Sequence, residues 1–256
     1  MKKLLSTLGI WMVCTTVFSQ NLPFYGTLPA ISQTGRISST INYNFFASTT
    51  IDAFKETVNT IQYPATDLQL YIQPSIIYVH SPNVNFAASY TYQRNNPFNT
   101  TISANPFSST FSNEHRLWQQ AIFSFPVSKG RLNNRFRFEE RFIQQKVAGM
   151  VTNNYPLSTR LRYQVAFNMP LQGKTLDKNE FYLNTYNEFY FSLTGNKNAN
   201  YSENWSYAGI GYDIGKMGRV ELGYLFQTFV RNTNHDLRFL NLAQVMWITN
   251  FNPKRK

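Results

Sequence analysis

Acidic residues, cysteines and long apolar runs are all scarce in this chain, and each scarcity removes a class of protein. A single cysteine, Cys14, serves all 256 residues, so neither a disulfide framework nor thiol chemistry is expected. Beyond the N-terminal run, no apolar stretch approaches the roughly 20 residues a spanning helix needs, which excludes a bundle of membrane helices. A β-barrel stays compatible with low hydropathy, because every second residue of a barrel strand faces inward and is free to be polar. Asp and Glu number 13 against 24 Lys and Arg, a formal net charge of +11. No basic helix, zinc-ligand set or aromatic RNA-binding signature accompanies that charge, so nucleic acid is not an expected partner. Metal motifs, phosphate-binding glycine loops and nucleotide fingerprints are missing as well, so no cofactor and no metal are expected. What the chain does have is aromatics, at 16% of residues, with Asn and Thr, and this composition favours strands over helices.

Residues 1–19 read as a secretory signal peptide: Lys2 and Lys3, an apolar run from Leu4 to Phe18, and Val17-Phe-Ser19 as the cleavage site before Gln20. Cys14 falls inside that run. Lipidation there would require a small residue just before it, and Val13 occupies the place. Residues 20–35, punctuated by Pro and Gly and without a sustained period, read as a periplasmic lead-in. Residues 36–251 form the main domain, and residues 252–256 a basic C-terminal tail.

The domain is organised around Asn134-Arg-Phe-Arg-Phe-Glu-Glu-Arg-Phe142. In a strand, successive side chains point to opposite faces, so Phe136, Phe138 and Phe142 share one side while Arg135, Arg137, Glu139 and Arg141 share the other. The same alternation recurs at Arg36 to Ser48, with Phe46 as the exception, and at Leu68 to Tyr78, where Pro74 marks a weak point or a bulge. It recurs again at Val84 to Gln93 and at Asn113 to Phe125. In the latter, Trp118 falls on the charged face and Gln119 on the apolar one. Thr159 to Met169, Glu180 to Leu193, Asn204 to Ile214, Arg219 to Val230 and Leu237 to Phe251 complete about ten strands.

If the first of these strands starts on the periplasmic side, links one, three and five are long and links two and eight short. Long outer loops alternating with short periplasmic turns are the pattern of an outer-membrane barrel. The expected fold is therefore all-β: an antiparallel up-and-down transmembrane barrel of about ten strands, with eight or twelve as alternatives. A secreted soluble β-sandwich binding module alternates in the same way. Against it stand polar faces that mix Arg with Glu, Tyr, Asn and Gln, and apolar faces rich in Phe and Tyr, as membrane-interface girdles require. Glu140 sits on the wrong face for the barrel.

Several short motifs occur in an order that resembles a known family. They are Glu114-His-Arg-Leu-Trp-Gln119, Arg135-Phe-Arg-Phe-Glu-Glu-Arg141, Tyr182-Leu-Asn-Thr-Tyr-Asn-Glu188, and Tyr207-Ala-Gly-Ile-Gly-Tyr212 followed by Glu221-Leu-Gly-Tyr224. The family is domain-of-unknown-function family 2490, met chiefly in Bacteroidota, and the resemblance runs from about Phe45 to Phe251. It implies a secreted outer-membrane β-barrel and carries no activity or catalytic residues to transfer.

Parity places one set of charges on a single face of four consecutive strands: Glu114 and Arg116; Arg135, Arg137, Glu139 and Arg141; Arg160 and Arg162; Glu180 and Glu188. In a narrow barrel these groups are expected to pair and fill the lumen as an ion-pair plug. The functional alternative is a basic lumen or mouth that binds an anion, with Arg offering bidentate geometry to phosphate or carboxylate. The expected role is structural, binding, or narrow transport of small anionic solutes in the cell outer membrane. The expected partners are outer-membrane lipid and lipopolysaccharide, with the barrel-assembly machinery during insertion. A lipid- or envelope-modifying enzyme is the alternative, but His80, His115 and His235 have no convincing serine or carboxylate dyad beside them, and only His235 with Asp236 stays open. Gly209 and Gly211 read as close-packing strand glycines, and the sequons at Asn99 and Asn204 as chance.

Overall fold

In the computed structural model, residues 22–52, 56–58, 61–63, 67–95, 111–147, 150–195, 201–230 and 237–251 are described. The expected signal peptide, Cys14, Asn99, His235, Asp236 and the basic tail lie outside them, as does the side chain of Leu68. The strands in chain order are β1 (Leu22–Arg36), β2 (Ile41–Asp52), β3 (Glu56–Val58), β4 (Ile61–Tyr63), β5 (Asp67–Ser81), β6 (Val84–Asn95), β7 (Ser112–Val127) and β8 (Gly130–Ile143). There follow β9 (Lys146–Val147), β10 (Met150–Val151), β11 (Leu157–Pro170), β12 (Phe181–Thr194), β13 (Tyr201–Asp213), β14 (Arg219–Val230) and β15 (Leu237–Phe251).

Eleven of these close into one barrel in the order β1-β15-β14-β13-β12-β11-β8-β7-β6-β5-β2, with β2 returning to β1. The pairs β3–β4 and β9–β10 are small hairpins inside two of the long links. Alternation dictates the walls. On β8, Phe136 is 52% exposed on the outer face while Arg137 and Glu139 are buried on the inner one. The same parity puts Phe86, Leu117, Leu161, Phe191, Leu222 and Val245 outside, and Gln93, Arg116, Arg162, Glu188 and Gln227 inside. Closure pairs the backbone groups all round and leaves no sheet edge. Pro74 is accommodated without a change of register: the β5–β6 ladder skips Gln73 and Pro74, and the Ser89 hydroxyl donates to the Pro74 carbonyl.

The barrel has one strand more than the ten expected. Residues 20–35 were expected to lie outside the wall, but Leu22–Arg36 forms β1, antiparallel to β2 and parallel to β15. The reason the segment shows no strand period is visible in the pairing. Pro23 and Pro29 interrupt it, and the β1–β2 ladder skips Leu28 and Pro29 because proline has no N–H to give. An odd strand number requires one parallel pair. Leu22 lies beside Arg238 and Gly35 beside Phe251, so the chain enters the wall at the end with the long links and leaves it at the end with the short turns. Those turns include Pro82-Asn83 between β5 and β6 and Ser128-Lys129 between β7 and β8.

Three glycines are explained by the lumen. Tyr207 lays its ring across Gly209 and Gly223, which face each other on β13 and β14, and a Cβ on either would fall inside that ring. Gly211 takes the Tyr182 ring in the same way, which bears out the reading of Gly209 and Gly211 as close-packing positions. Glu140 is on the outer face, as its parity requires. It lies three residues from the end of β8, on a row with Thr159 and Thr194, whose hydroxyls are 2.8 Å apart.

Candidate functional site: an arginine-rich lumen with one apolar wall

Register alone would make the inner face of β7, β8 and β11 repulsive, because Arg116 lies opposite Arg141 and Arg137 opposite Arg162. The glutamates sit on the diagonals and reverse this. Glu114 accepts from Arg116 Nη2 at 2.6 Å and from Arg141 Nε at 2.7 Å and Nη2 at 2.9 Å. Glu139, 0% exposed, is the hub. Arg160 donates to its Oε2 through Nε at 2.8 Å and Nη2 at 2.6 Å, and Arg162 Nη1 donates to Oε1 at 2.8 Å. Arg116 and Arg137 stand 3.6 and 3.7 Å from the same Oε1. Arg162 also donates to Glu188, which takes Arg135 Nη2 at 2.6 Å as well, and Arg160 also donates to Glu203 at 2.7 Å. These contacts make one connected network over five neighbouring strands.

Aromatic side chains complete it. The Arg137 guanidinium lies 3.9 Å from the Trp118 ring centroid, and those of Arg160 and Arg162 lie 4.7 and 4.4 Å from that of Tyr190. Trp118 Nε1 donates to Thr91 and Gln73, so its place on the charged face is that of a satisfied lumen residue.

Nine of the ten charges singled out in the sequence converge here. Glu180 does not: it precedes β12 by one residue, lies at the short-turn end and accepts from the Asp177 amide at 3.0 Å. Glu203 belongs to the network too, one residue before the alternation that begins at Asn204. β13 begins at Tyr201, with a register shift opposite Tyr190 and Phe191. Glu221 was missed because the constellation stopped at four strands. It is 1% exposed on the inner face of β14, where Tyr207 donates to it at 2.7 Å and Asn184 at 3.0 and 3.1 Å.

The network was expected to fill the lumen, but it occupies one side of it and borders a cavity of about 950 Å³. The opposite wall carries an apolar cluster beside the buried Glu221, Gln227 and Gln244. Leu28, Tyr207, Leu225, Leu240 and Leu242 form a buried cluster on β1, β13, β14 and β15, backed by Ala30, Tyr186, Trp205 and Phe229. Arginines 116, 135, 137, 141, 160 and 162 line the cavity with Glu188 and Glu203, and with Glu114 and Glu139 counted beside them the network keeps an excess of two positive charges. Arg135 is 20% exposed and Arg141 18%, more open than the other four.

Three buried donors, Arg135 Nε, Trp205 Nε1 and Gln227 Nε2, have no hydrogen-bond partner among the described residues. Leaving a buried donor unpaired costs about 1–3 kcal/mol, and native structures rarely tolerate it. Meanwhile the described histidines face away from the lumen. The His115 Nδ1 is hydrogen-bonded to the Tyr90 hydroxyl at 2.6 Å, and His80 packs beside the rings of Tyr78 and Phe86.

A family model described as "Protein of unknown function (DUF2490)" matches residues 31–238, beginning within β1 and ending within β15. No curated protein matches the chain.

Proposed function

We propose that this chain, which belongs to the DUF2490 family, is an outer-membrane β-barrel whose basic lumen binds small anionic solutes on a narrow route through the wall. The observation that carries the reading is the imbalance in the network that borders the cavity, where six arginines meet four glutamates. Arginine suits this role because its planar fork pairs two-pronged with carboxylate or phosphate and stays charged at every physiological pH. The four glutamates hold the arginines in place, as Glu139 does for Arg160 and Arg162. The outward Phe, Leu and Tyr residues of β6, β7, β8 and β14 give the barrel a surface suited to lipid.

Reversal potentials in planar bilayers under a salt gradient test the reading. It expects small conductance steps with anion selectivity, and a weaker selectivity in Arg135→Gln. Cation selectivity, or a conductance indifferent to that substitution, overturns it.

A further inference from the structure

The three unpartnered donors are not scattered. Following the register from β8, Arg135 pairs with Gln164, Gln164 with Glu188, Glu188 with Trp205, Trp205 with Gln227, and Gln227 with Leu240. Arg135, Trp205 and Gln227 thus lie on one row around the inner wall, and the row runs into the leucine cluster. Arg135 reaches along it as far as Glu188 on β12, which leaves only Trp205 between that ion pair and Gln227. Gln227 is 2% exposed, so its amide has no bulk water to turn to. Of the three, Arg135 and Trp205 line the cavity, and donors there without an acceptor, beside an excess of positive charge, call for an anionic group. The lining that continues from them, Leu28, Leu225, Phe229 and Leu240, suits a hydrocarbon chain.

We propose that the lumen takes a single-chain anionic amphiphile, with its carboxylate or phosphate head at Arg135 and Trp205 and its alkyl chain along Leu225, Leu240 and Leu28. The inference rests on the anion-binding reading above and names the ligand class of that same site. The cavity, at about 950 Å³, has the size of sites that enclose drug-sized ligands. Its two unlike walls give the ligand one direction in which to lie.

The test is calorimetric titration of the full protein in lipid nanodiscs, with empty nanodiscs subtracted. The probes are laurate, dodecyl phosphate, dodecyltrimethylammonium and inorganic phosphate. Laurate or dodecyl phosphate is expected to bind saturably at one per barrel, and whichever binds more tightly identifies the head group. Arg135→Gln and Trp205→Phe are each expected to weaken that binding about tenfold or more, the loss of one hydrogen bond to a charged group. Trp205→Phe keeps an aromatic ring and removes only an unsatisfied donor, so the barrel keeps its fold and lost binding is not lost structure. Equal affinity for inorganic phosphate and dodecyl phosphate overturns the amphiphile and leaves the anion-binding lumen standing. Binding of dodecyltrimethylammonium as tight as laurate overturns the head-group assignment. If no probe binds, phosphate included, both readings fall.

Discussion

Glu139 and Glu140 are neighbours in the chain and opposites in the barrel, and replacing each by glutamine separates the two faces. Glu139→Gln keeps the shape and removes the charge at the hub. It strips the charge from three direct hydrogen bonds, two from Arg160 and one from Arg162, and takes from Arg137 its nearest carboxylate and from Arg116 its second, after Glu114. Bonds to a charged acceptor contribute about 1.5–3 kcal/mol each, but one glutamine oxygen still accepts. In addition, Arg160 keeps Glu203 and Arg162 keeps Glu188. Breaking a buried pair by removing one partner costs about 3–5 kcal/mol, and the surviving partners put the expected loss near the lower bound, about 3 kcal/mol. Glu140→Gln removes a charge from the outer face near the rim and is expected to change stability by less than about 0.5 kcal/mol or to raise it. Urea unfolding of the barrel in lipid vesicles, followed by tryptophan fluorescence, reads both. A loss below about 1 kcal/mol for Glu139→Gln, or equal losses for the two variants, would refute the hub.

Three further outcomes follow from the walls and the topology. Phe138→Arg and Val165→Arg put a cation on the outer face in mid-strand and are each expected to cost about 2–4 kcal/mol in the same vesicles; mild effects at both would contradict a lipid-facing wall. Gly209→Ala drives a Cβ into the Tyr207 ring and disturbs its bond to Glu221, so it is expected to lose about 1–3 kcal/mol, and an unchanged midpoint would sink that packing. The parallel closure predicts that, on intact cells, a membrane-impermeant maleimide labels Leu22→Cys as it labels Asn154→Cys in the β10–β11 link and spares Lys129→Cys in a short turn; labelling of Leu22→Cys in step with Lys129→Cys would contradict it.

The walls were legible because alternation in β8 and β11 is nearly unbroken. Pro170 closes β11 and is its last residue, and β14 and β15 span the same residues in sequence and structure. β1 was not legible. A strand announced by side-chain alternation is hidden when prolines break its ladder and its one complete partner is parallel and lies at the far end of the chain. The charged half of the lumen followed from parity, since Arg and Glu stand out on any face. Its apolar half did not. On β14 and β15, Leu225, Leu240 and Leu242 share the inward parity with Glu221, Gln227 and Gln244, so leucines stand on both faces of these strands, and periodicity carries no sign of which face lipid and which face inward. Glu203 was lost to a boundary placed beyond it, at a register shift that only the paired strand reveals.

Cell fractionation combined with gel migration of unheated and boiled samples tests the central claim, an eleven-stranded barrel living in the outer membrane, most directly. The account predicts a protein confined to the outer-membrane fraction whose unheated form migrates faster than the boiled one, because a closed barrel stays compact in detergent. A protein that without residues 1–19 is soluble and monomeric in the absence of detergent would contradict it.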